Sequence, residues 1–412
     1  MSTSAQPRRR LHLRVSSRAE AAIRAGHPWV YGDSVREVSH DGGAGDLAVV
    51  YDSKDRFLAV GLLDPLSPIR LWVLARGKPT VIDAAFWSAR ISEAVARRDQ
   101  KVGHHTTGFR LVHGESDGLP GVVVDRYDST LVLKIYTAAW LPHLDALVLA
   151  IESTLRPKAL VLRMSRNCVS AAASGASAQG GQVAPVDGQV LLGVLRSDRV
   201  IFLESGLEFE SEVVKGQKTG FFLDQRENRR RVETLASGKR VANTFSFSGG
   251  FSVYAARGQA LSVLDVDVSA HALESGRRNF ERNATRLGFS CHRSGVRADV
   301  FEWLQQGGGD LYDLIIVDPP SLAKREHERA EAIRAYHKLN LGAIRKLARG
   351  GTLVAASCSA HVASEEFFDS VTRACVVSTR RWRELERTLH PVDHPSGFPE
   401  AAYLKCIYIQ FD

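Results

Sequence analysis

Cysteine is scarce in this 412-residue chain and never paired. The five cysteines stand at 168, 291, 358, 375 and 406, with no C-x-x-C among them. Such spacing provides neither a zinc site nor a disulfide framework, and it fits a reducing compartment. No apolar stretch approaches the ~20 residues that a membrane helix needs, so a cytoplasmic protein without a membrane partner is expected. His104, His105 and His113 have no partners at metal-ligand spacing, and no metal is expected. Acidic residues are outnumbered: 46 Asp and Glu against 54 Lys and Arg leave a net charge of +8. That balance favours a polyanionic partner. The first nineteen residues contain no acid and many Arg and Ser; they read as a basic tail entering a strand at Leu11–Val15 rather than as a transit peptide.

What is present falls into three stretches, 1–80, 81–212 and 213–412. In the first, short strands broken by Gly, Pro and Asp, such as Val49–Tyr51 and Phe57–Gly61, predict a small β-barrel. His27 and Trp29, in Gly26-His-Pro-Trp-Val-Tyr31, are candidates for stacking RNA bases; core packing of the same rings is the alternative. The second stretch reads as a small α+β domain, with helices at Asp83–Lys101 and Leu141–Leu155 and strands at Val122–Tyr127 and Leu131–Tyr136. Ala171 to Gly188, rich in Ala, Ser, Gly and Gln, predicts a flexible loop.

The third stretch opens on Lys215-Gly-Gln-Lys-Thr-Gly-Phe-Phe-Leu-Asp-Gln-Arg226, whose glycines and basic residues fit a loop handling charged ligands. Lys218 and Arg226 are expected on RNA, and Gln225 at a cofactor. From Arg240 strand and helix alternate to the end, which predicts an α/β fold with a parallel, Rossmann-like, doubly wound sheet.

That sheet is organised around Leu311-Tyr-Asp-Leu-Ile-Ile-Val317, a buried parallel strand ending in Asp318-Pro319-Pro320. Two prolines impose a rigid extended exit. Ligands of open α/β sheets bind at the carboxyl ends of the strands, so Asp318 is expected beside substrate and cofactor. A second buried strand, Gly351 to Ser357, delivers Cys358 to the same edge.

Gly249-Gly250 is not G-x-G-x-x-G, so pyrophosphate binding by that motif has no support. A glycine turn, Ser246 to Gly250, after the strand ending at Phe245 still lets a ligand approach amides at a helix start. Asp267 closes the next strand, where a carboxylate can take both hydroxyls of a ribose. Asp299 closes the third, near where an adenine would lie. A nucleoside cofactor follows, and the missing pyrophosphate motif favours S-adenosylmethionine over NAD.

The chain also resembles the bacterial ribosomal RNA cytosine-C5 methyltransferases, which carry a PUA domain ahead of a class I methyltransferase domain. The resemblance rests on Gly26-His-Pro-Trp29, Val124-Asp-Arg-Tyr127, Gly216-Gln-Lys-Thr-Gly220 with Leu223-Asp-Gln-Arg226, and Phe245 to Phe251. It continues through Asp267-Val-Ser269, Asp318-Pro-Pro320, Tyr336-x-x-Leu-Asn340, Ser357-Cys-Ser359, and Asp393-His-Pro395 with Tyr403-Leu-Lys405. It implies a PUA-like RNA-binding barrel at the N-terminus and 5-methylcytosine formation in large-subunit ribosomal RNA. It also implies cofactor contacts at Phe245, Gly249, Asp267 and Asp299, with Cys358 as nucleophile. A homodimer is left open.

The residues fit that chemistry. Cytosine C5 is a poor nucleophile until something adds at C6, and a thiolate can add there. A cationic site assists formation of the thiolate, and a protonated Asp318 can stabilise the adduct. Two other readings stand beside this one. An exocyclic-amine methyltransferase also uses an acid-Pro-Pro turn, but needs no cysteine and favours an aromatic where Ser321 stands. An RNA-binding assembly factor could keep the cofactor fold without turnover.

Overall fold

The computed structural model describes residues 11–98, 101–178, 184–306 and 309–412; the expected basic tail before Leu11 lies outside them. The chain forms two compact units, residues 1–200 with 211–220, and 201–210 with 221–412. Among the described residues no helix is long and apolar enough to cross a membrane.

The first unit holds a six-stranded and a five-stranded sheet. In the six-stranded sheet the neighbours run Trp29–Tyr31, Ile69–Arg76, Phe57–Leu63, Leu47–Tyr51, Leu11–Val15, Val35–Val38. Leu11, Leu13 and Val15 point inward and His12 outward, the period-two pattern of a half-buried strand. Ser16 starts the helix Ser17–Arg24 by accepting a hydrogen bond from the Ala19 amide.

The five-stranded sheet runs Val190–Gly193, Ala159–Met164, Thr130–Ile135, Val122–Tyr127, Gly108–His113. The helices Ala84–Arg98 and Leu144–Leu155 supply apolar residues to the same core. Residues 171–178, expected in a flexible loop, instead complete the helix Arg166–Ala178; 179–183 lie outside the described residues. Alanine is the strongest helix former, and Cys168 and Ala172 are buried. Low hydrophobicity hid a helix that needs only small side chains on its inner face.

The second unit contains a seven-stranded sheet. Its strands are β1 (Arg240–Thr244), β2 (Ser262–Asp267), β3 (His292–Arg297), β4 (Tyr312–Val317), β5 (Leu347–Ser357), β6 (Trp382–Thr388) and β7 (Lys405–Phe411). Its helices are α1 (Arg226–Leu235), α2 (Gly250–Arg257), α3 (Ala270–Leu287), α4 (Val300–Gln305), α5 (Arg329–Arg345) and α6 (Ser364–Val377). The spatial order is β3-β2-β1-β4-β5-β7-β6, parallel from β3 to β5, with β7 antiparallel to both its neighbours.

Burial on both faces explains the continuous apolar runs: Leu314 to Val317 and Gly351 to Ser357 are buried throughout. Edge strand β3 is mostly exposed, so its His-Arg-Ser-Gly-Val-Arg sequence carries no hydrophobic signal. Strand β5 begins at Leu347, ahead of the start at Gly351 that the sequence suggests. Gly350, at φ +74°, sits where the pairing with β4 slips, as in a β-bulge.

Helix α3 is bounded by local capping at both ends. The Ser269 hydroxyl accepts from the Ala272 amide (3.2 Å), and Gly288 ends it in the left-handed conformation. Its inner face is partly polar. Asn279 and Asn283 are buried and accept from the amides of Glu210 and Glu208 (2.9 Å each) in the strand Leu207–Glu212.

Candidate active site

The strand order reverses beside β1, whose neighbours are β2 and β4. A crevice opens at such a point, outside the carboxyl ends of the strands. The segment leaving β1 is contorted: Phe245 (φ 54°), Phe247 (φ 46°) and Gly249 (φ +71°) all occupy the left-handed region. For bulky residues that conformation costs ~1–3 kcal/mol each and persists where surrounding structure imposes it, typically at functional sites. Asp267 imposes it here. Its Oδ2 accepts from the Phe247 amide and its Oδ1 from the Ser269 amide (2.9 Å each), joining the β1 and β2 exits. A carboxylate oxygen has a second lone pair, so both remain able to meet a diol.

Two observations test whether S-adenosylmethionine fits this segment. The Ser246 hydroxyl is buried without a hydrogen-bond partner, and such a group ordinarily finds one. A Cβ at Gly249 would meet the Gly276 Cα at 3.1 Å and Asp265 Oδ2 at 3.5 Å, so only glycine leaves this backbone clear at the start of α2. The residues fit the group. Asp299 caps α4, its Oδ1 accepting from the Phe301 and Glu302 amides (2.7 and 3.2 Å), while the residue stays exposed beyond the end of β3. Phe245 packs edge-on against Phe301, with ring centroids 6.2 Å apart.

Beyond β1 stands Asp318, just past the end of β4. Its Oδ1 accepts from Gln225 Nε2 (2.9 Å), and Gln225 Oε1 accepts from Asn228 Nδ2 (2.5 Å). Asn228 Oδ1 in turn accepts from Thr388 Oγ1 (2.6 Å) and the Tyr408 hydroxyl (3.1 Å). The relay fixes the Gln225 amide with its NH₂ toward Asp318. Cys358 follows β5 directly, and its thiol lies 3.9 Å from the Pro319 carbonyl oxygen. It is the one half-buried cysteine; the other four are buried. Burial pushes Cys291 up to about 11 and Cys375 up to about 12, and raises Cys168 and Cys406 as well.

The Asp-Pro-Pro and Cys358 turns are locked together by residues that motif reading quoted without a role. Ser359 Oγ accepts from the Leu322 and Ala323 amides (3.0 and 3.3 Å) and lies 2.7 Å from the Tyr336 hydroxyl. The Tyr336 hydroxyl also accepts from Ser357 Oγ (2.8 Å), and burial pushes it up to about 12. Lys405, wholly buried at the start of β7, donates to the Ser359 carbonyl (2.6 Å) and to that of Val362. The usable signal was a lysine at the head of an apolar strand, where an unpaired charge is costly.

Two of the expected RNA contacts, Arg226 and Trp29, are occupied within the fold. Arg226 is buried, and both its terminal nitrogens donate to the Asp393 carboxylate (2.9 and 3.1 Å). A fork-to-fork ion pair with an acid far along the chain leaves nothing for RNA; a basic run in sequence was one solvated face plus two internal struts, the second being Arg229 on buried Glu204 (2.7 Å). Trp29 donates its indole N–H to Glu115 (2.9 Å) and packs edge-on against Trp72 at 6.0 Å, so its ring belongs to the core of the first unit. Lys218 lies at φ 53°, and its carbonyl accepts from Lys134 Nζ (3.0 Å) in a turn held by Thr219 Oγ1 donating to buried Asp125 (2.6 Å). Its side chain is half-buried, as is His27, whose Nδ1 lies 3.1 Å from the Trp29 carbonyl. Among the described residues no cluster of His, Cys, Asp and Glu could hold a metal ion.

Comparison with known proteins agrees with this fold. The S-adenosylmethionine-dependent methyltransferase family matches residues 133–409, and a PUA-like domain family matches residues 13–76. A Deinococcus radiodurans protein named ribosomal RNA large subunit methyltransferase is 54% identical over the full length of both chains. The ribosomal RNA large subunit methyltransferase I of Photobacterium profundum is 35% identical, with 94% of this chain and 96% of that one covered. Among solved structures, a Streptococcus mutans protein assigned as a SAM-dependent methyltransferase superposes with a TM-score of 0.81 at 22% identity, covering 97% of this chain and 99% of that one. At that identity it shows the fold.

Proposed function

Since the chain belongs to the S-adenosylmethionine-dependent methyltransferase family, we propose that it methylates C5 of a cytosine in large-subunit ribosomal RNA through a covalent bond between Cys358 and C6 of the base. The observation that carries the reading is the meeting of Cys358 with the Asp318-Pro-Pro turn, sulfur to Pro319 carbonyl at 3.9 Å. Exocyclic-amine transfer has no use for a thiol there. The PUA-like residues 13–76, the charge of +8 and the names of the relatives support an RNA substrate.

When bound, S-adenosylmethionine supplies an electrophilic methyl group. Asp267 would hold the ribose hydroxyls, Asp299 would face the adenine, and Phe245, Ser246 and Gly249 would line the approach. Gln225 would sit beside the cofactor while orienting Asp318. The Cys358 thiolate adds to C6, and the electron pair displaced from the C5–C6 bond makes C5 nucleophilic as Asp318 gives a proton to the ring nitrogen. After C5 takes the methyl group, loss of its proton reforms the double bond and expels the thiolate, and the ring-nitrogen proton returns to Asp318. Ser321 rather than a cysteine follows Pro320, so that proton leaves to a base other than a second thiol. His27 and Lys218 would contact the RNA.

Bisulfite sequencing of large-subunit RNA from a deletion strain tests the product: one cytosine should lose its protection and regain it on complementation. An unchanged pattern would reject C5 methylation. Asp267→Ala should weaken cofactor binding by about 1.5–3 kcal/mol, the worth of a hydrogen bond to a charged acceptor, with unaltered affinity by calorimetry as the contrary result.

A further inference from the structure

Lys405 is the buried charge for which the catalytic scheme so far has no use. It is fully buried, its ammonium group donates to the carbonyls of Ser359 and Val362, and β5–β7 pairing sets it opposite Ser357. Among the described residues no carboxylate lies within ion-pair distance of it. Keeping an ammonium ion in such a place is expensive unless its charge is used. The residue between Ser357 and Ser359 is Cys358.

We propose that Lys405 is the positioning residue for the Cys358 thiolate: its ammonium group holds the turn that presents the sulfur and stabilises the negative charge there. The inference rests on Cys358 being the nucleophile. Two of the three ammonium hydrogens are committed to carbonyls, so the cation is fixed in place. A cation beside a thiol favours the thiolate.

Burial pulls the Lys405 ammonium down to about 8, while the Cys358 sulfur, Glu366 and Glu365 favour its charge. By linkage that same charge favours the thiolate. The neighbouring Asp318, Tyr336, Glu366, Glu365 and Cys406 bring no positive charge of their own. Asp318, next to the carbonyl that the thiol meets, is a carboxyl group and supplies no positive charge. Tyr336 is neutral, its ionisation made harder still by Cys358. Glu366 is spent on Arg329, and Glu365 is exposed on α6. Cys406, the neighbour of Lys405, is buried and held as a thiol.

The test is the pH dependence of Cys358 alkylation by iodoacetamide in the full-length protein, followed by peptide mass spectrometry. Lys405→Met should raise the midpoint by about one unit, slowing alkylation at pH 7 about tenfold. Lys405→Arg, which keeps the charge, should hold the wild-type midpoint. A midpoint shared by Lys405→Met and wild type overturns the proposal. Should Lys405→Met fail to fold, wild type decides: a midpoint at or above the ordinary thiol value of about 8.5 also overturns it. Alkylation reads the thiolate and not methyl transfer, so the two readings fail separately. A shifted midpoint without any wild-type adduct to 5-fluorocytosine RNA would keep the role of Lys405 and reject Cys358 as nucleophile. An adduct with an unshifted midpoint would do the reverse.

Discussion

Cys358→Ala should lose methyl transfer by several orders of magnitude while still binding S-adenosylmethionine and RNA. The thiol opens the covalent route to an activated C5, and without it the base stays a poor nucleophile. Neither binding contact needs the sulfur. The decisive substrate is RNA with 5-fluorocytosine at the target position. After methyl transfer the C5 fluorine cannot leave as a proton does, so wild-type protein and RNA should remain joined through denaturing electrophoresis, only with S-adenosylmethionine present. Cys358→Ala should give no such band. Changing Cys291, Cys375 or Cys406 should leave it, since each is buried with its thiol held protonated. Wild-type turnover in Cys358→Ala would sink the covalent mechanism and move exocyclic-amine methylation ahead.

Asp393→Ala should cost about 3–5 kcal/mol of stability, the usual penalty for stranding one partner of a buried ion pair. The stranded group is Arg226, fully enclosed with both terminal nitrogens on the Asp393 carboxylate. Burial alone would push that carboxyl up; His394, with Nδ1 3.3 Å away, and the Arg226 guanidinium hold it far below the usual range instead. A carboxyl depressed on folding stabilises fully above its unfolded pKa of about 3.9 and loses that contribution as pH falls below it. Wild type should therefore weaken with acid from about pH 4 downward, and Asp393→Asn, already destabilised, should show a shallower slope there. Urea midpoints across pH 2.5–6 read both effects. An unchanged midpoint for Asp393→Ala at pH 7 would show that the pair contributes nothing net.

The amino-acid sequence by itself determined the sheet and which residues stand at its edge. Strands β4 and β5 are buried on both faces, so their apolar runs were legible without partners. The two prolines after Asp318 left one exit conformation, and Ser269 marked the start of α3 because capping is local. Cys358 could be singled out because its position directly after a buried strand is a property of chain order.

Only the tertiary structure decided what depends on residues far apart. Arg226 looked like a contact for RNA until Asp393, supplied by the segment between β6 and β7, enclosed it. Trp29 looked like a stacking platform until Trp72 and Glu115 closed on it. The left-handed Phe245 and Phe247 follow from hydrogen bonds that Asp267 and Val266 make from β2, which no local propensity encodes. Lys405 acquired a role only when β7 paired antiparallel with β5 and brought its ammonium group to the turn behind Cys358. Local sequence specifies conformations whose cost is paid within a few residues; a buried charge draws its meaning from the groups that long-range pairing sets around it.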